Sequence, residues 1–344
     1  MSPSPASWRG REYERPLPRA QPIRYNGAVL MTSFALRRLA TFIATLIATS
    51  LVVFLVLEVL PGDPALLMLG IDAQPDAVAA LRAKLGLDKP AVERYLVWMA
   101  GMVRGDLGIS HTYGTSVAEL IGERLVVTLP LALIAMTLTT IIALTLGVFA
   151  ASKHNTIGDY GVMTATQLGI AIPNFWFAIL LVLLFAVALG WLPAGGFPGW
   201  DQGPIALKSL VLPAFALALV QAAILARVTR SAVLEVLRED FVRTARAKGL
   251  TRTQTLWRHV LRNSLIPVVT IMGLQFSNLL AGTIIIENVF YLPGLGRLIF
   301  QSINQRDLIV VKDVVVLLAA KVVVINFIVD LLYAVIDPRL RTQR

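Results

Sequence analysis

Few residues of this chain have types and spacings that could do chemistry. Its three histidines, His111, His154 and His259, lie in three different loops, so no metal-ligand cluster is suggested. The absence of cysteine excludes thiolate chemistry and a disulfide framework. No G-x-x-x-x-G-K-[ST] segment occurs, so the chain offers nucleotide phosphates no P-loop. What remains is a set of polar side chains inside long apolar runs: Gln167, Asn174, Gln221, Gln275, Asn278, Lys321 and Asn326. In a membrane such groups either line a polar path or hydrogen-bond between helices, and the sequence leaves both readings open. Lys321 is the least expected of them. At 1.5 Å per residue it lies roughly 10 Å below the outer end of its apolar run. Its stem could snorkel to the interface, it could pair structurally, or it could meet an anionic part of a solute. Glu58 and Glu287 fall at the outer ends of two runs and Arg227 at the inner end of another, where solvent contact accounts for them.

One dense charged stretch stands apart, EDFVRTARAKGLTRTQTLWRHVLRN over residues 239–263. Residues 231–248 are good helix formers, and Val233, Leu237, Phe241 and Ala245 share a stripe at a spacing of four. Gly249 supplies a helix stop that tolerates positive φ. Thr251 and Gln254 have the T-x-x-Q spacing of a capping box, in which each side chain satisfies the other's backbone N–H. A second helix follows, with Leu256, Trp257, Val260 and Leu261 on its apolar face. A charged loop that only oriented the protein would need no stop, cap or stripe, so a folded hairpin over 231–262 with a docking surface is the expectation.

The elements that must position these groups are membrane helices. The chain is 56% hydrophobic and only 15% charged, where soluble domains run near a quarter charged. A bilayer core of about 30 Å needs roughly 20 apolar residues per crossing. Six stretches qualify: 39–60, 125–152, 161–192, 209–228, 265–286 and 314–336. Pro173 should kink or break the third. Lys and Arg number seven in 1–38, one in 153–160, eight in 229–263 and three in 337–344, against six in 61–124, one in 193–208 and three in 287–313. The positive-inside rule therefore puts both termini in the cytoplasm and accounts for most of the +10 net charge without nucleic acid. The 61–124 segment has helical spacing and reads as a small ordered extracytoplasmic cap. Residues 1–38 read as a polar, disordered cytoplasmic tail rather than a signal peptide, and 337–344 as a short cytoplasmic tail.

The order of motifs resembles a known family. VLPGDPA (59–65), LRAKLGLDKP (81–90), GDLGISHTYGTSVAELIGERL (105–125), IPNFW (172–176) and LGWLPAGG (189–196) come first. DFVRTARAKGL, RNSLIPVV, ENVFYLPGLGRL (287–298) and VDLLYAVIDPRLR (329–341) follow. Together they resemble the permease subunit of bacterial ABC importers, in the dipeptide, oligopeptide and nickel branch. The resemblance implies an all-α membrane protein of six transmembrane helices with the type I importer fold, its transmembrane domain covering 121–336. It implies a multi-pass protein of the bacterial inner membrane that forms half of a path for peptides or similar solutes.

It also implies partners: a second permease subunit, two ATP-binding subunits and an extracytoplasmic solute-binding protein. Any ATP and Mg would sit on the ATPase subunits, so this chain would hold no cofactor and catalyse no bond-breaking. The hairpin would be the ATPase-coupling element, through Glu239, Asp240, Phe241, Arg243, Thr244, Ala245, Arg246, Lys248, Gly249 and Thr251. Where the family's E-A-A-x-x-x-G motif has Glu-Ala-Ala, this chain has Arg243, Thr244 and Ala245, so only Ala245 and Gly249 match. Two other classes are weighed against this one. A secondary transporter or channel would need coupling carboxylates near mid-membrane or an internal repeat. An intramembrane protease would need a buried Ser–His or paired Asp, yet Asp330 is the only Asp within a run.

Overall fold

The computed structural model describes residues 27–59, 63–70 and 72–336. Residues 1–26 and 337–344, and with them most of the expected N-terminal tail and all of the C-terminal one, lie outside the described residues, as do the side chains of Glu58 and Asp330. Among the described residues the secondary structure is helical, apart from one isolated bridge between Ile109 and Ser116.

α1 (Gly27–Val59) contains an apolar stretch long enough to cross a membrane, Leu36–Leu57. Three short helices follow. α2 (Pro64–Leu69) starts with Pro at its first turn, and the Asp63 side chain accepts from the Ala65 N–H at 3.1 Å. α3 (Pro75–Lys84) also opens on Pro. α4 (Ala91–Arg104) stops at Gly105, which has φ +79, while the Asp106 N–H closes onto the Gly101 carbonyl at 2.9 Å. Tyr95 and Trp98 of α4 pack on Phe54 of α1, and the Tyr95 hydroxyl hydrogen-bonds Ser50 at 2.8 Å. The segment between the first two apolar runs is therefore an ordered helical unit seated on α1.

α5 (Val117–Ser152) runs 36 residues, about 54 Å, and so projects well beyond a hydrocarbon core of about 30 Å. α6 (Ile157–Ala171) and α7 (Asn174–Leu181) are bent by 103° relative to each other. The cause is local. The ring of Pro173 disfavours helical geometry at the residue before it, and Ile172 is extended at φ −83°, ψ 124°. A π turn over Val182–Ala188 continues α7.

α8 (Pro204–Val236) is the centre of the bundle, with 72% of its most apolar window buried. Lipid tails are as apolar as Leu, so helices in a membrane associate through close packing and hydrogen bonds. Small residues supply that closeness. Ala214, Ala216, Ala218, Ala222 and Ala226 of α8 are buried. A Cβ at Gly147 of α5 would lie 2.6 Å from Thr229 Cβ and 2.7 Å from the Ala226 carbonyl, so only glycine permits that crossing.

Beyond α8 come α9 (Asp240–Ala247) and α10 (Arg252–Thr255). A π turn over Leu256–Val260 carries α10 without interruption into α11 (Leu261–Val289). α12 (Leu295–Asn304) and α13 (Leu308–Ile336) complete the described helices. Four helical stretches are long and apolar enough to cross a membrane, and the bent α6–α7 pair makes a fifth among the described residues. α13 has the length but carries Lys312 and Asp313 in its second turn and Lys321 near its middle.

Candidate functional site

The hairpin differs from its sequence reading in one respect that changes which residues face outward. Residues 231–248 read as a single helix, but the chain breaks at Leu237–Glu239, and Glu239 is extended at φ −67°, ψ 146°. The break lets α9 turn under the bundle. Val242 and Ala245 then bury, with Val242 against Val148 and Ala151 of α5, Val233 of α8 and Val260. Of the stripe expected along an unbroken helix, Ala245 is buried and Phe241 is 41% exposed, on the side expected to dock. Trp257, expected on an apolar face of the second helix, is 59% exposed.

The turn between α9 and α10 matches its local signals. Gly249 has φ +91°, and Leu250 N–H reaches the Ala245 carbonyl at 3.3 Å. The Thr251 hydroxyl accepts from Gln254 N–H at 3.3 Å, and the Gln254 side-chain oxygen accepts from Thr251 N–H at 3.1 Å. Of the ten residues assigned to docking, Ala245 is buried. Glu239, Asp240, Phe241, Arg243, Thr244, Arg246, Lys248, Gly249 and Thr251 are exposed. The ion pair between Arg243 and Asp240, at 3.5 Å, is solvent-exposed and contributes little. The result is a charged surface with two large apolar side chains on it, held from behind by a small apolar seat.

The polar residues of the apolar runs fall into pairs rather than one cluster. Gln275 of α11 donates to the backbone carbonyl of Gln221 of α8 at 3.2 Å. Among the described residues, the side-chain oxygens of both glutamines are buried without a partner. Asn326 of α13 accepts from Ser277 of α11 at 3.0 Å. Lys321 of α13 is half-buried and donates to the Leu280 carbonyl of α11 at 3.0 Å. Gln167 of α6 accepts from Arg227 of α8 at 3.2 Å. Asn174 is half-buried in the first turn of α7, and Asn278 is exposed.

Sequence reasoning missed the buried carboxylates, two of which are completely enclosed. Glu287, expected at a solvent-exposed helix end, is completely buried. It accepts from the Thr128 hydroxyl at 2.7 Å and from the N–H groups of Gly296 at 2.6 Å and Arg297 at 3.4 Å. It thus caps the first turn of α12 and ties it to α5. Asp307, also completely buried, accepts from Ser110, from the Thr112 N–H at 3.0 Å and from the Val310 N–H at 3.3 Å. It joins the loop after α4 to the start of α13. The GLG at 294–296 was a signal for the first, since a Cβ at Gly294 or Gly296 would overlap Glu287 or the Ile284 backbone. Among the described residues no group of His, Asp and Glu is placed to hold a metal.

Comparison with known proteins matches nearly the whole chain. A family model for the inner membrane component of binding-protein-dependent transport systems matches residues 143–342. A second, for the N-terminal part of such membrane components, matches 31–132. A peptide transport system permease protein of Brucella melitensis biotype 1 is 44% identical over 91% of this chain and 99% of its own length. The di/tripeptide transport system permease protein of Pseudomonas aeruginosa is 40% identical over 91% of this chain and 100% of its own length. The glutathione transport system permease protein of Escherichia coli O6:H1 is 40% identical over 90% of this chain and 99% of its own length.

Proposed function

This chain belongs to the inner membrane components of binding-protein-dependent transport systems, and from that premise we propose how it works as the permease subunit of a peptide importer. It is a multi-pass inner-membrane protein that forms a route, and ATP hydrolysis belongs to separate subunits of the system. Its partners are a further permease subunit, ATPase subunits and a solute-binding protein. We assign it one homologous permease partner and two ATPase subunits, because a single bundle of this kind encloses only half of a pathway.

The observation that carries the mechanism is the hairpin. Its buried side, Val242 and Ala245, anchors it beneath α5 and α8, while Phe241, Trp257 and the charged residues from Glu239 to Thr251 face outward for a partner. Exposed aromatic side chains anchor an interface and the surrounding charges select the partner's charge pattern. Approach of two ATPase subunits on binding ATP would move this unit as a rigid body, and α8 and α11 would carry the motion into the membrane. Reconstitution tests the reading. The complex, loaded into vesicles with a peptide-bearing binding protein, should hydrolyse ATP faster than without it and accumulate peptide. ATP-independent accumulation would instead support a secondary transporter.

The charge distribution supports six crossings, with α13 as the sixth, cytoplasmic termini and the α2–α4 unit outside as a cap for the binding protein. Single cysteines in this cysteine-free chain test it. Thr115→Cys should react with an impermeant thiol reagent from outside, and Thr253→Cys only after permeabilisation; the opposite pattern inverts the topology.

We place Gln167, Asn174, Gln221, Gln275, Asn278, Lys321 and Asn326 along the pathway. Lys321 uses one donor on the Leu280 carbonyl and keeps two for a passing carboxylate. Lys321→Met keeps the length and loses the charge. Interhelical hydrogen bonds in membranes average about 0.6 kcal/mol, so assembly should survive. Transport of carboxylate-bearing peptides should fall roughly tenfold relative to neutral analogues, the equivalent of about 1.4 kcal/mol. An equal rate for both would reduce Lys321 to a joint between α11 and α13.

A further inference from the structure

Beside the hairpin, at the same end of the bundle, an ion pair between a buried carboxylate and a partly buried guanidinium joins the first turn of α6 to α8. Asp159 is 1% exposed. Its two oxygens accept from Arg230 in parallel, Oδ1 from Nε at 2.6 Å and Oδ2 from Nη2 at 2.6 Å. The Asn155 N–H adds a third hydrogen bond to Oδ2 at 3.0 Å. His154 lies next to them, its Nδ1 3.3 Å from Asp159 Oδ2 and 3.1 Å from Arg230 Nη2. A forked guanidinium–carboxylate pair fixes orientation as well as distance, which a single hydrogen bond or a lysine does not.

The placement of this pair is what gives it a role. Arg230 stands six residues before α8 ends at Val236, and only Leu237–Glu239 separates that end from α9. Val233, one turn further along α8, lies in the same apolar cluster as Val242 of the hairpin and Val148 and Ala151 of α5. Arg230 therefore moves with the hairpin. Asp159 opens α6, which leads to the 103° bend at Ile172–Pro173. Two further contacts between α6 and α8 are of another kind. Gly169 stands against Ala223 with room for a methyl at 3.5 Å, and the Arg227–Gln167 bond is at an exposed site. A glycine–alanine contact permits sliding and a single exposed hydrogen bond resists it little, whereas the two-pronged pair on a buried carboxylate does not.

We propose that Asp159 and Arg230 are positioning residues for energy coupling. They lock α6 to the hairpin-bearing end of α8, so that a displacement of the hairpin reaches the bend at Pro173 as a rigid motion rather than being lost between the two helices. The proposal rests on the reading of the hairpin as the ATPase-docking element.

The test uses the full complex in vesicles and reads peptide transported per ATP hydrolysed, normalised to assembled complex. Asp159→Asn keeps the shape and removes the charge; Arg230→Lys keeps the charge and removes the fork. Both should assemble and retain ATP hydrolysis stimulated by the binding protein, while peptide transported per ATP falls at least tenfold. A pair needed only to neutralise a buried charge would be rescued by Arg230→Lys, and that rescue overturns the proposal. So does an unchanged ratio in Asp159→Asn, or failure of both variants to assemble, which would make the pair a folding requirement. Gly249→Val, made in parallel, separates this from the underlying reading. Normal transport by Gly249→Val sinks the docking role of the hairpin, whereas impaired Gly249→Val beside fully coupled Asp159→Asn sinks the lock alone.

Discussion

Gly249→Val is expected to insert and assemble its membrane helices while transport and binding-protein-stimulated ATP hydrolysis fall together, by tenfold or more. Nothing lies within 4 Å of a Cβ built at Gly249, so the first added carbon meets no neighbour. The cost is in the backbone. At φ +91° an L-residue is disfavoured by roughly 1–2 kcal/mol, and a β-branched one by more, in holding the left-handed turn. The alternative is to relax φ, which removes the Leu250 bond to the Ala245 carbonyl and re-aims α9 relative to α10. The exposed docking residues would then no longer present one surface, although the seat of Val242 on α5 and α8 can persist. Gly249→Ala should show the same defect more weakly. The check is paired: surface expression and membrane insertion for integrity, transport and stimulated hydrolysis for coupling. A well-expressed Gly249→Val protein with normal transport would remove the hairpin from the coupling mechanism.

The second large effect belongs to Glu287, at the opposite end of α11. Glu287→Ala leaves the Thr128 hydroxyl and the Gly296 N–H without their acceptor inside a completely buried site. Each stranded donor costs about 1–3 kcal/mol, and a cavity of carboxylate size adds to that. The two donors alone amount to about 2–6 kcal/mol, large enough to release the start of α12 from α5. The purified protein should unfold at a temperature several degrees lower, and less of it should accumulate in the membrane. Glu287→Gln, which keeps an acceptor for one donor but brings an amide N–H toward another, should fall between the two. An Ala variant as heat-stable as the parent would mean that the Thr128–Glu287–Gly296 junction contributes nothing to the fold.

Features governed by neighbours a few residues away are legible in the amino-acid sequence itself. The positive φ at Gly249, the capping box of Thr251 and Gln254 and the break before Pro173 all arise from interactions spanning five residues or fewer, and each stands where its residues put it. The apolar runs are legible for a different reason. A bilayer demands about 20 apolar residues per helix whatever the fold, so composition alone marks them. Family membership is carried by the order of many weak motifs along the chain.

What tertiary structure decided was which side of an element faces in, and which distant residues meet. The stripe of residues 231–248 put Phe241 and Ala245 on one apolar face, but the chain breaks at Leu237–Glu239, and Val242 and Ala245 are buried under the bundle while Phe241 stays exposed. A helical face turns by about 100° with each residue, so a short break suffices to exchange the buried residue for its neighbour. Glu287 reads as a helix-end carboxylate, yet α12 folds back over it and Thr128 arrives from 159 positions away. Asp159 and Arg230 are 71 positions apart, and each alone is an ordinary charge near a helix end. Sequence local to either one cannot announce such a pair. It exists because α6 packs along α8, where a Cβ at Gly169 would stand 3.5 Å from Ala223, and so brings the two charges together over a buried carboxylate.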